Sequence, residues 1–231
     1  MSSYSQANEE LQATYVNAEA ARPSISVGEV SLATRLLEIV VASIALLVTS
    51  PLMLLTALVI KFGTPGPALF RQDRVGANFK LFRFVKFRTL YADARKRFPE
   101  LYAYRYDDEQ LKALKFKVED DPRVTPQGKW LRRSTMDELP NFWNVLTGDM
   151  ALVGPRPEIP EMLPYYRGNM LLKFSVRPGI TGLAQISGRG RLGFHETVEY
   201  DVEYVRRRSF AFDVKILFRT LWLILVRDGA F

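Results

Sequence analysis

The stretch IVVASIALLVTSPLMLLTALVI, Ile39 to Ile60, carries no charged side chain over 22 residues. As a straight helix it measures about 33 Å at ~1.5 Å per residue, close to the ~30 Å of a bilayer's hydrocarbon core. A helix of a soluble core keeps a polar stripe, and this one is apolar all round, so the segment reads as a membrane element. Pro51 interrupts it near the middle, because proline brings no backbone N–H and its ring crowds the carbonyl four residues earlier. Thr49 and Ser50, just before it, can bond back to the freed carbonyls. A kinked spanning helix and a helix that enters and leaves by the same face both satisfy this pattern.

Working outward, the flanks differ in charge. Arg22 and Arg35 are the basic residues before the segment, whereas Lys61, Arg71, Arg74, Lys80, Arg83, Lys86 and Arg88 follow it closely. The positive-inside tendency puts the C-terminal side in the cytoplasm and, for a spanning helix, the N-terminus outside. Residues 1–30 are polar, have no cleavable-signal pattern and are expected to be a disordered tail.

Composition narrows the chemistry. The chain of 231 residues is 48% hydrophobic, enough for one packed domain beyond the membrane segment. It has no cysteine, which removes disulfides, thiolate metal sites and cysteine nucleophiles. Its one histidine, His195, excludes multi-histidine metal sites. Acid, base and nucleophile roles therefore fall to carboxylates. A formal charge of +7 calls for an anionic partner, with nucleic acid, a phospholipid surface and a phosphorylated small molecule as the candidates.

Phe70 to Leu90, FRQDRVGANFKLFRFVKFRTL, reads as a short hairpin around its Gly-Ala-Asn turn. Its basic and aromatic residues suit a single nucleic-acid strand as well as anionic headgroups, and the membrane segment beside it favours the latter. Tyr91 to Asp120 has helical spacing and is read as a solvated helix with an acidic exit. The C-terminal SFAFDVKILFRTLWLILVRDGAF is too short in its uncharged runs to span, and it fits equally an interfacial amphipathic helix and a core helix closing the domain.

In LRRSTMDELPNFWNVL, Leu131 to Leu146, Pro140 suits the first turn of a helix, so the helix holding NFWNVL is expected to begin near Asp137. That puts Asp137 and Glu138 at its positive end, where ionised carboxylates and phosphate are both favoured. Taken alone, such a string is usually an ordinary cap. Two further segments point to more. GDMALVGPRPE sets Arg156 between Pro155 and Pro157 in a stiff turn, and RPGITGLAQISGRGRLGF repeats glycine and arginine as a diphosphate-holding loop does.

Six stretches, TSPLMLLTALVIK, GPALFRQDRVG, FRFVKFRT, LRRSTMDELPNFWNVLTGDMALVGPRPE, RPGITGLAQISGR and FDVKIL, occur in the order found in the bacterial sugar transferases, and together they run from about Thr34 to Val226. The chain resembles that family of monotopic phosphoglycosyl transferases. The resemblance implies an α+β, mainly helical, monotopic membrane protein. It would have a re-entrant membrane helix hairpin (31–62) broken at Ser50 and Pro51, and a small globular domain (63–231) with interfacial amphipathic helices. It also implies a bacterial cytoplasmic-membrane location with the catalytic domain on the cytoplasmic face, contrary to what the simple charge rule gives for a spanning N-terminus.

The implied reaction moves a sugar 1-phosphate from a UDP-sugar to polyprenyl (undecaprenyl) phosphate and releases UMP, the first step of exopolysaccharide, O-antigen, capsule or glycoprotein glycan assembly. Carried over residue by residue, Asp137 resembles the nucleophile and Glu138 a Mg²⁺-binding neighbour. Lys86 would counter charge and Asp213 would support the site. Arg132 and Arg156, with Pro155, Pro157, Arg88, Gln185 and Arg189, would bind substrate. Further expected partners are membrane lipids, a second copy of the chain and downstream glycosyltransferases, and not nucleic acid. Asn141 and Leu90 depart from the commoner glutamine and methionine, which touches fine specificity only. The alternative from another class is a non-catalytic membrane scaffold that holds anionic lipid or nucleic acid.

Overall fold

Ser31 opens the membrane segment as a helix cap, its Oγ accepting the Thr34 amide at 3.1 Å. From there one helix, α1 (Leu32–Gly63), runs with Pro51 inside it. Pro51 cannot donate to the carbonyl of Leu47, and the Ser50 hydroxyl takes its place at 2.8 Å, while Thr49 Oγ1 donates to Ala45 O at 2.7 Å. The two arms expected around Pro51 thus form one helical element. A computed structural model describes residues 31–114, 120–188 and 191–226; the tail and Arg189 lie outside them.

Both ends of α1 are tied to the globular part. Arg35 donates to the carbonyls of Val145 and Leu146 at 2.7 and 2.9 Å, and Glu38 takes a 2.8 Å bond from Arg177. At the far end Ile60 packs with Phe87 and Leu131, and Arg88 donates to the Thr64 carbonyl at 2.8 Å and to that of Pro65. Between these anchors Leu47 and Val48 are 75% and 71% exposed. A helix this apolar left bare needs lipid around it, since exposing such a patch to water is unfavourable.

Next comes the expected hairpin, β1 (Leu69–Val75) antiparallel to β2 (Leu81–Phe87), with Asn78 and Phe79 at positive φ in its turn. Phe82 and Phe84 point to one face of β2 and pack with Val153 and Ile216 in the core. Lys86 takes the next position on that same face. The single solvated helix expected for 91–120 is instead broken into α2 (Ala94–Arg97), a 3₁₀ turn Pro99–Tyr102 and α3 (Asp108–Ala113). Pro99 cannot donate within a continuing helix, and the Asp107–Gln110 capping box starts α3 afresh.

The remaining elements are α4 (Pro126–Ser134), α5 (Asn141–Thr147), β3 (Ala151–Val153), β4 (Gly179–Thr181), α6 (Leu183–Gly188), α7 (Phe194–Arg207) and α8 (Phe210–Leu225). β3 and β4 pair in parallel, joined through 3₁₀ turns at Pro160–Tyr165 and Gly168–Ser175. α8 satisfies both readings of the C-terminus at once: Ile216 and Leu223 are buried, while Phe218, Leu221 and Leu225 are exposed.

Candidate active site

Thr135, in the left-handed conformation at φ 56°, stops α4 and turns the chain into a 3₁₀ turn, Met136–Glu138. The α-helix expected to start near Asp137 begins only at Asn141, with Pro140 as its cap position. Asp137 and Glu138 therefore stand on a separate tight turn ahead of α5. Stabilisation of the Asp137 carboxylate comes mainly from side-chain cations, not from the first amides of a long helix.

Asp137 is 6% exposed and faces the Lys86 ammonium at 3.9 Å. Burial raises the Asp137 carboxyl above the usual carboxylate range; Lys86 opposes this, Glu138 reinforces it, and Arg156 and Arg132 oppose it again. Burial likewise pushes Lys86 down to about 8, partly offset by Asp137. Glu138 is bonded to Arg156 at 2.8 Å. The site is thus two adjacent carboxylates, one buried and one engaged by an arginine, among three cations.

The turn holding Arg156 is clamped at successive backbone atoms. Gly154 N donates to Thr181 O at 2.8 Å, Gly179 N to Pro155 O at 2.9 Å, Arg74 to Pro157 O at 3.1 Å and Val75 N to Glu158 O at 2.9 Å. The approach needs glycine: a Cβ on Gly179 would lie 2.0 Å from Gly154 N. Pro155 and Pro157 are buried and Arg156 is exposed, so the prolines hold the turn while the guanidinium reaches Glu138. Beneath it lies a cluster that the sequence reading missed. The Glu158 carboxylate accepts the Tyr166 hydroxyl at 2.7 Å, and Lys173 sits 3.7 Å from Glu158 and 3.1 Å from Asp201. Burial pushes the Asp201 carboxyl up to about 6. Its only sequence signal was charge inside apolar patterns, as in MLLKFS and VEYDVEYV.

Arg132 donates through Nε to Thr89 Oγ1 at 3.2 Å and lies 3.8 Å from Asp121. Asp121 was not anticipated either. Its own burial works to raise its carboxyl, but hydrogen bonds from Arg123 hold it below the usual range. Asp213 stands apart from the Asp137 group: Tyr204 donates its hydroxyl toward Asp213 at 2.8 Å and toward Val153 O at 3.0 Å. Its effect reaches the site through β3, which leads into the Arg156 turn. Arg88 is a correction, because it is 4% exposed and spends its guanidinium on the carbonyls that end α1, which leaves a structural task in place of substrate binding. Gln185 lies beside Gly154, since a Cβ on Gly182 would be 2.2 Å from Gly154 O and 2.7 Å from Gln185 Oε1. Both polar ends of its side chain are buried without a protein hydrogen-bond partner.

Residues 30–227 match the family model described as bacterial sugar transferase. The chain belongs to that family. It is 45% identical over 166 residues to "Galactosyl transferase CpsE" of Streptococcus agalactiae serotype III, covering 71% of this chain and 36% of that protein. It is 35% identical over 201 residues to "Exopolysaccharide production protein ExoY" of Rhizobium meliloti, 87% and 88% of the two chains. With the "UDP-glucose:undecaprenyl-phosphate glucose-1-phosphate transferase" of Escherichia coli it shares 39% identity over 202 residues, 84% of this chain and 40% of that one. The chain spans well under half of the streptococcal and E. coli relatives and most of ExoY. In this sugar transferase, then, Asp137, Glu138, Lys86, Arg132 and Arg156 gather from four elements onto one buried-to-exposed surface suited to a diphosphate.

Proposed function

We propose that this chain transfers a sugar 1-phosphate from a UDP-sugar to polyprenyl phosphate, releasing UMP. The observation that carries the reading is the buried Asp137 carboxylate facing Lys86 beside the Glu138–Arg156 pair. An Asp137 oxygen attacks the phosphorus that bears the sugar, and the bond from that phosphorus to the bridging oxygen breaks, so the electron pair leaves with UMP. The acyl phosphate left on Asp137 is then attacked by an oxygen of polyprenyl phosphate, which frees the carboxylate and forms the lipid diphosphate sugar. Neither step needs a histidine. The cations supply positive charge where the phosphoryl oxygens and the departing phosphate concentrate negative charge.

Among the described residues no three acidic or histidine side chains converge as a metal cage. Asp137 and Glu138 are adjacent carboxylates, a donor set that suits Mg²⁺ shared with substrate phosphates. Glu138 would hold the ion, which would neutralise diphosphate charge when bound.

The same reading makes α1 re-entrant, with the globular domain on the cytoplasmic face. Its support is that Arg35 and Glu38 near one end and Ile60 and Thr64 near the other are held by the same domain. A cysteine placed in the tail, as Ser24→Cys, is expected to label from the cytoplasmic side of sealed vesicles; labelling from the opposite side refutes the topology.

The relatives' names include glucose, galactose and exopolysaccharide production. The reading here is a UDP-hexose donor and the first step of exopolysaccharide or capsule assembly. The test is UMP release with UDP-glucose or UDP-galactose, polyprenyl phosphate and Mg²⁺, in wild type and in Asp137→Asn. Loss of turnover and of a sugar-phosphate adduct in the variant is expected; normal turnover refutes the assignment.

A further inference from the structure

An open groove of about 680 Å³ runs between α6 and α8. Leu183 and Ile186 form one wall, Phe212, Phe218 and Trp222 the other. Arg207, Lys215 and Arg219 also line it, and no carboxylate does. Arg207 is paired with Glu203 and stacked on Phe212, with its charge centre 4.8 Å from the ring. Lys215 and Arg219, one turn apart on α8, are exposed at the groove.

Position on α8 gives the groove its meaning. At 100° per residue, Ile216 and Leu223 point to the core, and Phe218, Leu221 and Leu225 form an exposed apolar stripe. Lys215, Arg219 and Trp222 fall on the flank between them. A ligand with its anionic head on the two cations can therefore lay an apolar tail along the stripe, and a fully soluble anion would leave those walls without a partner. Charge separates the lipid classes: two cations without a counter-charge in the groove match the nearly dianionic phosphomonoester, while a phosphodiester headgroup carries one charge.

The groove also adjoins the reaction centre. α6 turns Leu183 and Ile186 toward it, while Gln185 lies against Gly154, two residues before Arg156. One helix, about 10 Å across, separates groove and Arg156 turn. On the opposite wall, Thr220 of α8 is hydrogen-bonded to Thr181 of β4 at 2.7 Å.

We infer that the groove between α6 and α8 docks the phosphate of the polyprenyl acceptor, with Lys215 and Arg219 holding the phosphate and the isoprenoid chain running along the exposed stripe of α8. This rests on the transferase reading, and the experiment separates the two.

Full-length Lys215→Glu/Arg219→Glu is assayed in phosphatidylcholine nanodiscs with polyprenyl phosphate and whichever of UDP-glucose or UDP-galactose the wild type uses. Both substitutions are on exposed positions, and an unchanged unfolding temperature checks the fold. The UMP burst without acceptor is expected to equal that of wild type, while the KM for polyprenyl phosphate rises at least tenfold. Wild-type KM in the variant overturns the groove. So does a KM that changes only after phosphatidylglycerol is added, since that marks a general anionic-lipid surface. If the wild type releases no UMP from either sugar nucleotide, the transferase reading itself fails.

Discussion

Replacing Lys86 tests the electrostatic core of the site. Burial lowers its ammonium from 10.5 to about 8, with Asp137 working the other way. The charged form is therefore lost as pH rises through 8: about nine-tenths of Lys86 is protonated at pH 7 and about one-tenth at pH 9. kcat/KM for the UDP-sugar, which reports the free enzyme, should fall along a basic limb near pH 8, and bound diphosphate should move that limb upward in kcat. The Asp137 carboxyl, raised by burial, places the acid limb above 3.8.

Lys86→Gln removes the nearest cation from Asp137, and at pH 7 it should cost about 10²–10³ in kcat, the range for losing one preorganised electrostatic partner. Lys86→Arg keeps a charge that does not titrate in this range, so its basic limb should disappear. The assay is UMP release from pH 5 to 10 with saturating acceptor. A limb near 8 that persists in Lys86→Arg, or a Lys86→Gln variant within a factor of about ten of wild type, refutes the assignment.

Two stability predictions probe the parts that position this site. Glu38→Gln weakens an acceptor that is 6% exposed and serves both Arg35 and Arg177; a fully buried pair would lose about 3–5 kcal/mol, and the partial exposure of the guanidinium groups makes this an upper bound. Chemical unfolding in detergent should show the loss, and no shift would mean that α1 is not anchored there. Tyr204→Phe removes the hydroxyl shared by Val153 O and Asp213 and should cost about 1–3 kcal/mol together with reduced kcat, because β3 leads into the Arg156 turn. Lost stability with unchanged kcat would separate Asp213 from the site.

Much of this protein was determined locally, and that part was legible. The uncharged run of α1, the hairpin pattern of 70–90, Thr125–Pro126 opening α4 and the prolines around Arg156 act on their immediate neighbours, through burial, periodicity and fixed φ. The Asp137–Glu138 string named the site for the same reason. It misjudged the helix start, because Thr135 in the left-handed region ends α4 and opens a separate turn.

Tertiary structure decided who meets whom. Lys86 faces Asp137 because β2 carries its inward side past Phe84, Arg88 ends α1 because β2 runs under Thr64, and Glu158, Lys173 and Asp201 meet beneath a turn built from distant segments. Such pairings depend on packing between elements far apart in the chain. Local propensity and hydropathy carry no term for them, whereas burial beside a particular partner sets both the charge state of each group and the work it can do.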